Sequence, residues 1–321
     1  MNTAPELDER EIVSALAAGW GFDATSLVYA AVGFGSHHWI AVDHGGAGRF
    51  VTVDVLANRA EGSSDVAFAR LSAAFETARR LRERALEFVV APLPDTRGDV
   101  LQRLTDGFSM AVFPLVDGTA GEFGEWPSAG QRREVRTLIE RLHDATSIVE
   151  GVAAREDFAL PGRARLTVAL EELHRPWATG PYAEPTRRLL QRIEGELVAA
   201  LDGYEGLVAQ VRSDPAPWVI THGEPHPGNV IWSADGPRLV DWDTALIAPA
   251  ARDWWQLASP DDEGGGDREA AGALYRLRWD LADIAVYVGE FRLPHGRTTD
   301  TVASWRNLEH CARRIAPRVN P

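Results

Sequence analysis

The chain has 321 residues, 45% hydrophobic and 25% charged, with a formal net charge of −14 at neutral pH. Such a length accommodates two structural lobes, and the single cysteine, Cys311, excludes an internal disulfide and any site built on two thiolates. The acidity speaks against nucleic acid or an anionic membrane as partner and suits a cationic small molecule better.

All 33 basic residues are arginine, so the sequence contains no lysine. No run of about 18 apolar residues is present to span a bilayer. The start, MNTAPELDEREIVSALAAGW, is acidic and lacks the basic and apolar regions of a secretory leader, so a cytoplasmic location is expected. No obligate protein partner is implied.

In chain order, LVYAAVG (27–33) and HWIAVD (38–43) read as short strands joined across GFGSH. RFVTVDVL (49–56) reads as a third strand after the turn HGGAG. A helix is predicted from about Ser64, an N-cap candidate, with Phe68, Leu71, Phe75, Ala78, Leu81 and Ala85 at three- and four-residue spacing. FVVAPL, GDVLQRL and FSMAVFPLV add strands through Val116.

After Asp117 and Gly118 the pattern turns helical, over 129–149, 163–175, 184–201, 270–291 and 298–315. The interruption is 217–243, where WVIT, NVIW and RLVD are short strands and ADGP turns the chain between the last two. PDDEGGGD at 260–267 reads as a mobile loop. The expected fold is α+β and two-lobed: a small antiparallel sheet with one helix over residues 1–113, and a mainly helical lobe over 114–321. Ligands favour the cleft between such lobes.

Three constellations bear on chemistry. GFGSH at 33–37 lies between antiparallel strands and opens no helix, so it is not a dinucleotide fingerprint. It is either a plain hairpin turn or a loop whose backbone N–H groups lie over phosphates. His222, Glu224 and His226 in THGEPHPGNVIW lack the cysteine pair of the zinc deaminases. Pro225 and Pro227 also forbid the helix of an H-E-x-x-H site.

The remaining reading joins this loop to LVDWD at 239–243. Asn229 opens one strand of a hairpin and Asp241 ends the other, so an amide and a carboxylate could hold one Mg²⁺ through hard oxygens, with phosphates completing the shell. Glu224 could then accept a proton from an attacking hydroxyl. Otherwise His222 and Glu224 serve buried backbone groups.

HGEPHPGN at 222–229 followed by LVDWD resembles the catalytic-loop and metal-binding pair of the aminoglycoside phosphotransferase (APH) family, which has a protein-kinase-like fold. GFGSHHW, FPLVDG, ERLHDA and APAARDWW fall in the order of the family's nucleotide loop, interlobe hinge, first large-lobe helix and post-metal segment. LVDWDTALIAPAARD is most similar to spectinomycin-phosphotransferase-like members.

The resemblance implies a small-molecule kinase transferring the γ-phosphoryl group of ATP or GTP to a hydroxyl, with Mg²⁺. The acceptor would be an aminoglycoside or aminocyclitol antibiotic, and the alternative a sugar, amino alcohol or other metabolite. Carried over, Glu224 is the base and His222 a brace for the loop, with Asn229 and Asp241 as metal ligands and Asp253 as a structural anchor. Gly33, Phe34, Gly35, Ser36, His37 and Thr52 line the nucleotide, and backbone groups of Phe113, Leu115 and Val116 meet the adenine.

This chain departs from the family twice. Glu224 stands where aspartate is usual, which moves the carboxylate by about one bond and costs up to about 10²-fold in rate if nothing compensates. Thr52 stands where the phosphate-pairing lysine is expected, a loss of about 1.5 to 3 kcal/mol. Ser36, His37, His38 and Arg49 are candidates to compensate. A catalytically reduced nucleotide-binding protein is the reading from another class. Glu76 is either the relic partner of that lysine or an i, i+4 partner of Arg80. Along 270–291, Arg276, Asp280, Asp283, Tyr287 and Glu290 share a face that is either solvated or, with Asp243, meets a cationic acceptor. Trp254, Trp255 and the run Asp261, Asp262, Glu263 are equally open between packing, solvation and substrate contact.

Overall fold

A computed structural model describes residues 4–5, 7–59, 63–258 and 266–317. The run Asp261, Asp262, Glu263 and most of PDDEGGGD lie outside the described residues. The chain divides into two compact units, residues 1–156 with 217–262, and residues 157–216 with 263–321.

The first unit begins with α1 (Glu9–Trp20), β1 (Ala24–Ala30), β2 (His37–Asp43) and β3 (Gly48–Val55), then a single turn α2 (Leu56–Arg59) and the long α3 (Ser64–Glu83). Next come β4 (Gln102–Arg103), β5 (Phe108–Pro114), β6 (Thr119–Ala120), α4 (Ala129–Asp144) and α5 (Thr146–Val149). The chain returns to this unit with β7 (Val219–Thr221), β8 (Val230–Ser233), β9 (Gly236–Leu239), β10 (Leu246–Ala248) and α8 (Ala251–Trp254). The second unit holds α6 (Arg163–Glu171), α7 (Ala183–Ser213), α9 (Gly266–Phe291) and α10 (Thr299–Ile315).

Five strands form an antiparallel sheet in the order β1-β2-β3-β5-β4. Alternation along β3 sorts its side chains onto two faces, as the period of a strand requires. Val51 and Val53 join Trp39, Ala41, Met110 and Val112 in a back core closed by Ile12 and Leu16 of α1. Phe50 lies on the front, with Leu71 and Phe75 of α3, Ala111 and Phe113. In the same unit β7 pairs with β10, and the predicted hairpin β8–β9 gains β6 as a third strand.

Several expectations need correction. Ser63, not Ser64, caps α3, accepting from the Val66 N–H. α1 was not expected as a helix, although Asp8 caps its start and Gly21, at φ 60, ends it in the left-handed conformation that suits glycine. FVVAPL is not a strand: Pro92 and Pro94 remove two donors, and the buried run is tied to β9 by Leu239 N–H to Phe88 O (2.7 Å) and Val90 N–H to Leu239 O (3.0 Å). GDVLQRL contributes only Gln102 and Arg103 as strand. The helix expected over 184–201 continues to Ser213, and β10 is a further strand.

Leu16 is fully buried behind the sheet. Leu16→Ala should therefore cost about 2–5 kcal/mol in urea unfolding; a loss below about 1 kcal/mol would mean that α1 is not part of this core.

Candidate active site

The loop after β7 is held from beneath by one carboxylate. Asp253, fully buried in α8, accepts from the backbone N–H of His222 (3.1 Å) and of Gly223 (2.6 Å), and from His143 Nε2 (2.8 Å). Burial pushes the Asp253 pKa up, but the hydrogen bond from His143, the charges of His143 and Arg252, and the Gly223 N–H outweigh it. The carboxyl is held below the ordinary aspartate value.

Arg252 completes the support, donating to Thr221 Oγ1 and to the Thr244 carbonyl, both at 2.8 Å, with the buried Glu156 carboxylate 3.8 Å away. Gly223 sits at φ 99, and a Cβ there would meet the Arg252 guanidinium at 2.3 Å, so the position admits only glycine. Nothing in the sequence alone marked Arg252 for this role except its place beside Asp253.

His222 is fully buried and links the loop to the hairpin. Its Nε2 lies 2.9 Å from the Val240 carbonyl, and its Nδ1 is 3.3 Å from the Glu224 N–H. Since a carbonyl only accepts and an amide only donates, the ring proton is assigned to Nε2 in a neutral imidazole. Burial lowers the His222 pKa, against the opposing charge of Asp253. The Trp242 ring meets the imidazole edge at 4.7 Å, and its Nε1 donates to the Leu239 carbonyl at 2.9 Å.

Pro225 and Pro227 keep the next residues out of α-helix, and the chain makes one 3-10 turn, Pro227–Asn229. Asn229 Nδ2 donates to the Glu224 carbonyl at 3.0 Å, while the Asn229 carbonyl accepts from the Val240 N–H at 3.1 Å. Glu224, Asn229 and the residue before Asp241 are thus tied together by two hydrogen bonds. Asp241 is exposed and adopts φ 65, a left-handed conformation that non-glycine residues seldom take. One amide proton of Asn229 is donated to Glu224, which orients the side chain, and Oδ1 is its acceptor atom. An amide oxygen and a carboxylate at adjoining strand ends are the hard-oxygen donors that Mg²⁺ takes, so the residues fit such an ion.

Glu224 keeps its side chain about one-third exposed, with Oε2 3.8 Å from His226 Nε2. The Phe123 ring packs on His226 at 4.8 Å, a contact with no sequence signal. Asp243 is half-buried two residues beyond Asp241.

At the sheet, Gly33 and Gly35 take φ 67 and 95, and Phe34 between them is 59% exposed. Ser36 donates to Asp54 Oδ1 at 2.9 Å, and His37 Nδ1 lies 3.2 Å from the Tyr29 hydroxyl. Thr52 is buried, with Oγ1 3.2 Å from His38 Nδ1. Arg49 belongs to the opposite face, over the Phe22 ring at 5.0 Å, and so does not reach the place of Thr52. Phe113 is buried, Leu115 is 44% exposed, and Val116 packs on the front cluster with Val240. Glu76 is engaged by Arg79 through two bonds of 2.6 and 2.7 Å as well as by Arg80 at 3.0 Å.

The carboxylates expected along α9 are used inside the second unit. Asp280, 5% exposed, pairs with Arg314 Nε at 3.0 Å, and Cys311 Sγ donates to Asp283 at 3.7 Å. The Tyr287 hydroxyl accepts from Asn307 Nδ2 at 3.1 Å, and burial raises the Glu290 pKa. α10 covers this face from Asp280 to Glu290, whereas Arg276 near its start is exposed.

Residues 41–287 match the APH family, described as the phosphotransferase enzyme family. Protein StrN of Streptomyces griseus is 30% identical over 256 residues, covering 73% of this chain and 75% of its own length. Among solved structures, spectinomycin phosphotransferase APH(9)-Ia in complex with ADP and spectinomycin is similar at TM-score 0.72 and 14% identity, covering 96% of this chain and 97% of that one. Amicoumacin kinase hAmiN in complex with AMP-PNP, Ca²⁺ and Ami is similar at TM-score 0.59 and 14% identity, covering 97% and 96%.

His222 yields a pH test. Its folded pKa lies below the unfolded value of 6.5, so the unfolded chain binds more protons as pH falls, and stability declines below that pH. His222→Gln should flatten the slope of unfolding free energy between about pH 6.5 and 5; an unchanged slope would show that His222 titrates alike in the folded and unfolded chain.

Proposed function

The chain belongs to the APH phosphotransferase enzyme family, and from that premise we propose that it transfers the γ-phosphoryl group of ATP or GTP to a hydroxyl of a small cationic acceptor. Residues 1–113 are read as the nucleotide lobe, and 114–321 as supplying the catalytic loop, the metal ligands and the acceptor contacts. The observation that carries the proposal is the lock between the loop 222–229 and the end of the hairpin: Asn229 bonded to Glu224 through its side chain and to Val240 through its backbone, with His222 spanning the same gap.

In this reading the Glu224 carboxylate accepts the acceptor's hydroxyl proton as that oxygen attacks the γ-phosphorus. The bond from phosphorus to the bridging oxygen breaks, and the nucleoside diphosphate carries the electron pair away. In a loose, largely dissociative transfer the base chiefly orients the nucleophile, so glutamate in place of aspartate is tolerable provided the loop sets its reach. Mg²⁺ held by Asn229 and Asp241 would offset the charge of the triphosphate.

An aminocyclitol or aminoglycoside is the first acceptor to test, with a net charge of −14 in its favour and spectinomycin and amicoumacin as the acceptors named for similar folds. Antibiotic resistance follows if such an acceptor is confirmed. A nucleoside triphosphate donor suits a cytoplasmic reaction. With Asp280, Asp283 and Tyr287 engaged by α10, acceptor recognition falls to other residues, Asp243 among them.

The test is a coupled phosphoryl-transfer assay over a panel of aminoglycosides, aminocyclitols, sugars and amino alcohols, with ATP and GTP. Glu224→Gln should lower kcat by about 10²-fold or more with nucleotide affinity nearly unchanged. Unchanged kcat would remove Glu224 from the mechanism. Asp241→Asn should abolish the Mg²⁺ dependence of nucleotide binding, measured by thermal shift; a retained dependence would refute the ligand assignment. Tight Mg²⁺-nucleotide binding without transfer to any acceptor or to water would favour a binding protein instead.

A further inference from the structure

A triphosphate bound to a lysine-free chain must meet backbone amides, arginine, histidine or a metal ion. Register decides which side chain the front of the sheet can offer. Directly opposed residues of antiparallel strands share a face, and His38 opposes Thr52 while Ile40 opposes Phe50. Thr52 and Phe50 in turn oppose Ala111 and Phe113 of β5. Of the front-facing residues His38, Ile40, Phe50, Thr52 and Asp54, only His38 carries a side-chain nitrogen.

Three contacts aim that ring. Its Nδ1 lies 3.2 Å from Thr52 Oγ1. The imidazole stacks on the Phe50 ring at 5.0 Å with an interplanar angle of 27°. A Cβ built on Gly33 would lie 3.4 Å from His38 Nε2, so Nε2 faces the backbone of the glycine loop. When the Thr52 hydroxyl donates to Nδ1, the ring proton is on Nε2, directed to the loop; an imidazolium donates there as well. Ser36, His37 and Arg49 are engaged elsewhere, with Asp54, Tyr29 and the Phe22 ring.

We propose that His38, oriented by Thr52 and Phe50, is the side chain that donates to the phosphates of a nucleoside triphosphate under the Gly33–Ser36 loop. It supplies from β2 the contact that β3 cannot make through Thr52. The proposal rests on the phosphotransferase reading of the same site.

Isothermal titration of the full chain with Mg²⁺-ATP and with adenosine, or GTP and guanosine if these bind better, separates a phosphate contact from packing. His38→Ala should weaken triphosphate binding by about 10- to 10²-fold and leave nucleoside binding within about twofold. His38→Gln, which keeps an N–H donor, should lose less. Adding Thr52→Lys to His38→Ala should recover triphosphate affinity, which a misfolded protein could not do. Equal losses for triphosphate and nucleoside, or no loss, overturn the assignment and leave the phosphotransferase reading standing. Failure of the unsubstituted protein to bind any triphosphate overturns both.

Discussion

Asp253 carries the local geometry of this site. A fully buried carboxylate is costly unless its oxygens are hydrogen-bonded and its charge is met. Here the His222 and Gly223 N–H groups, His143 and the neighbouring Arg252 do both. The requirement runs in both directions: the loop has its curvature because two successive amides must reach one carboxylate, and the carboxylate stays ionised because they do. Gly223 is a consequence, since the guanidinium that supports Asp253 occupies the space a side chain would need. From this anchor His222 extends to Val240, and the loop and hairpin become a single rigid support for Glu224, Asn229 and Asp241.

The sheet solves a separate problem. Its back face is apolar and closed by α1, whereas its front carries Thr52 and Asp54 in buried positions that a purely structural sheet would fill with valine or isoleucine. Burying polar side chains here requires partners, and these are drawn from the glycine loop and β2: Ser36 for Asp54 and His38 for Thr52. Glu76 faces no lysine and is satisfied on its own helix, chiefly by Arg79, whose hydrogen bonds lower the carboxyl pKa against the effect of burial. Thr52 and Glu76 are thus each met by neighbours close at hand, His38 for the one and Arg79 with Arg80 for the other.

Much of this was legible in the sequence because the signals were local. Proline and glycine in THGEPHPGNVIW fixed a stiff loop, ADGP fixed the hairpin, and alternation in RFVTVDVL put Thr52 and Phe50 on one face and the valines on the other. What was not legible depends on partners far apart in the chain. Asp280, Asp283 and Tyr287 align on α9 by helical period, but period alone does not say which face another helix covers, and α10 covers theirs. FVVAPL has strand composition, yet its prolines and its bonds to β9 leave it an extended connector. Arg252 is indistinguishable by sequence from a surface arginine until Thr221, Thr244 and Glu156 surround it.

Asp241 lies just past the end of β9. A left-handed backbone at a non-glycine residue costs of order 1–3 kcal/mol and persists only when its neighbours fix it. Aspartate is among the residues that tolerate this conformation best. Both neighbours are fixed: Val240 is bonded through its N–H to Asn229 and through its carbonyl to His222, and Trp242 is fully buried with its indole tied to Leu239. With the residues on either side held by these bonds and by burial, the chain turns at Asp241 through the left-handed conformation, and the residue is exposed. A hairpin needing only to close would relax that strain with glycine or asparagine; an aspartate kept there at a cost agrees with the divalent-cation ligand proposed above.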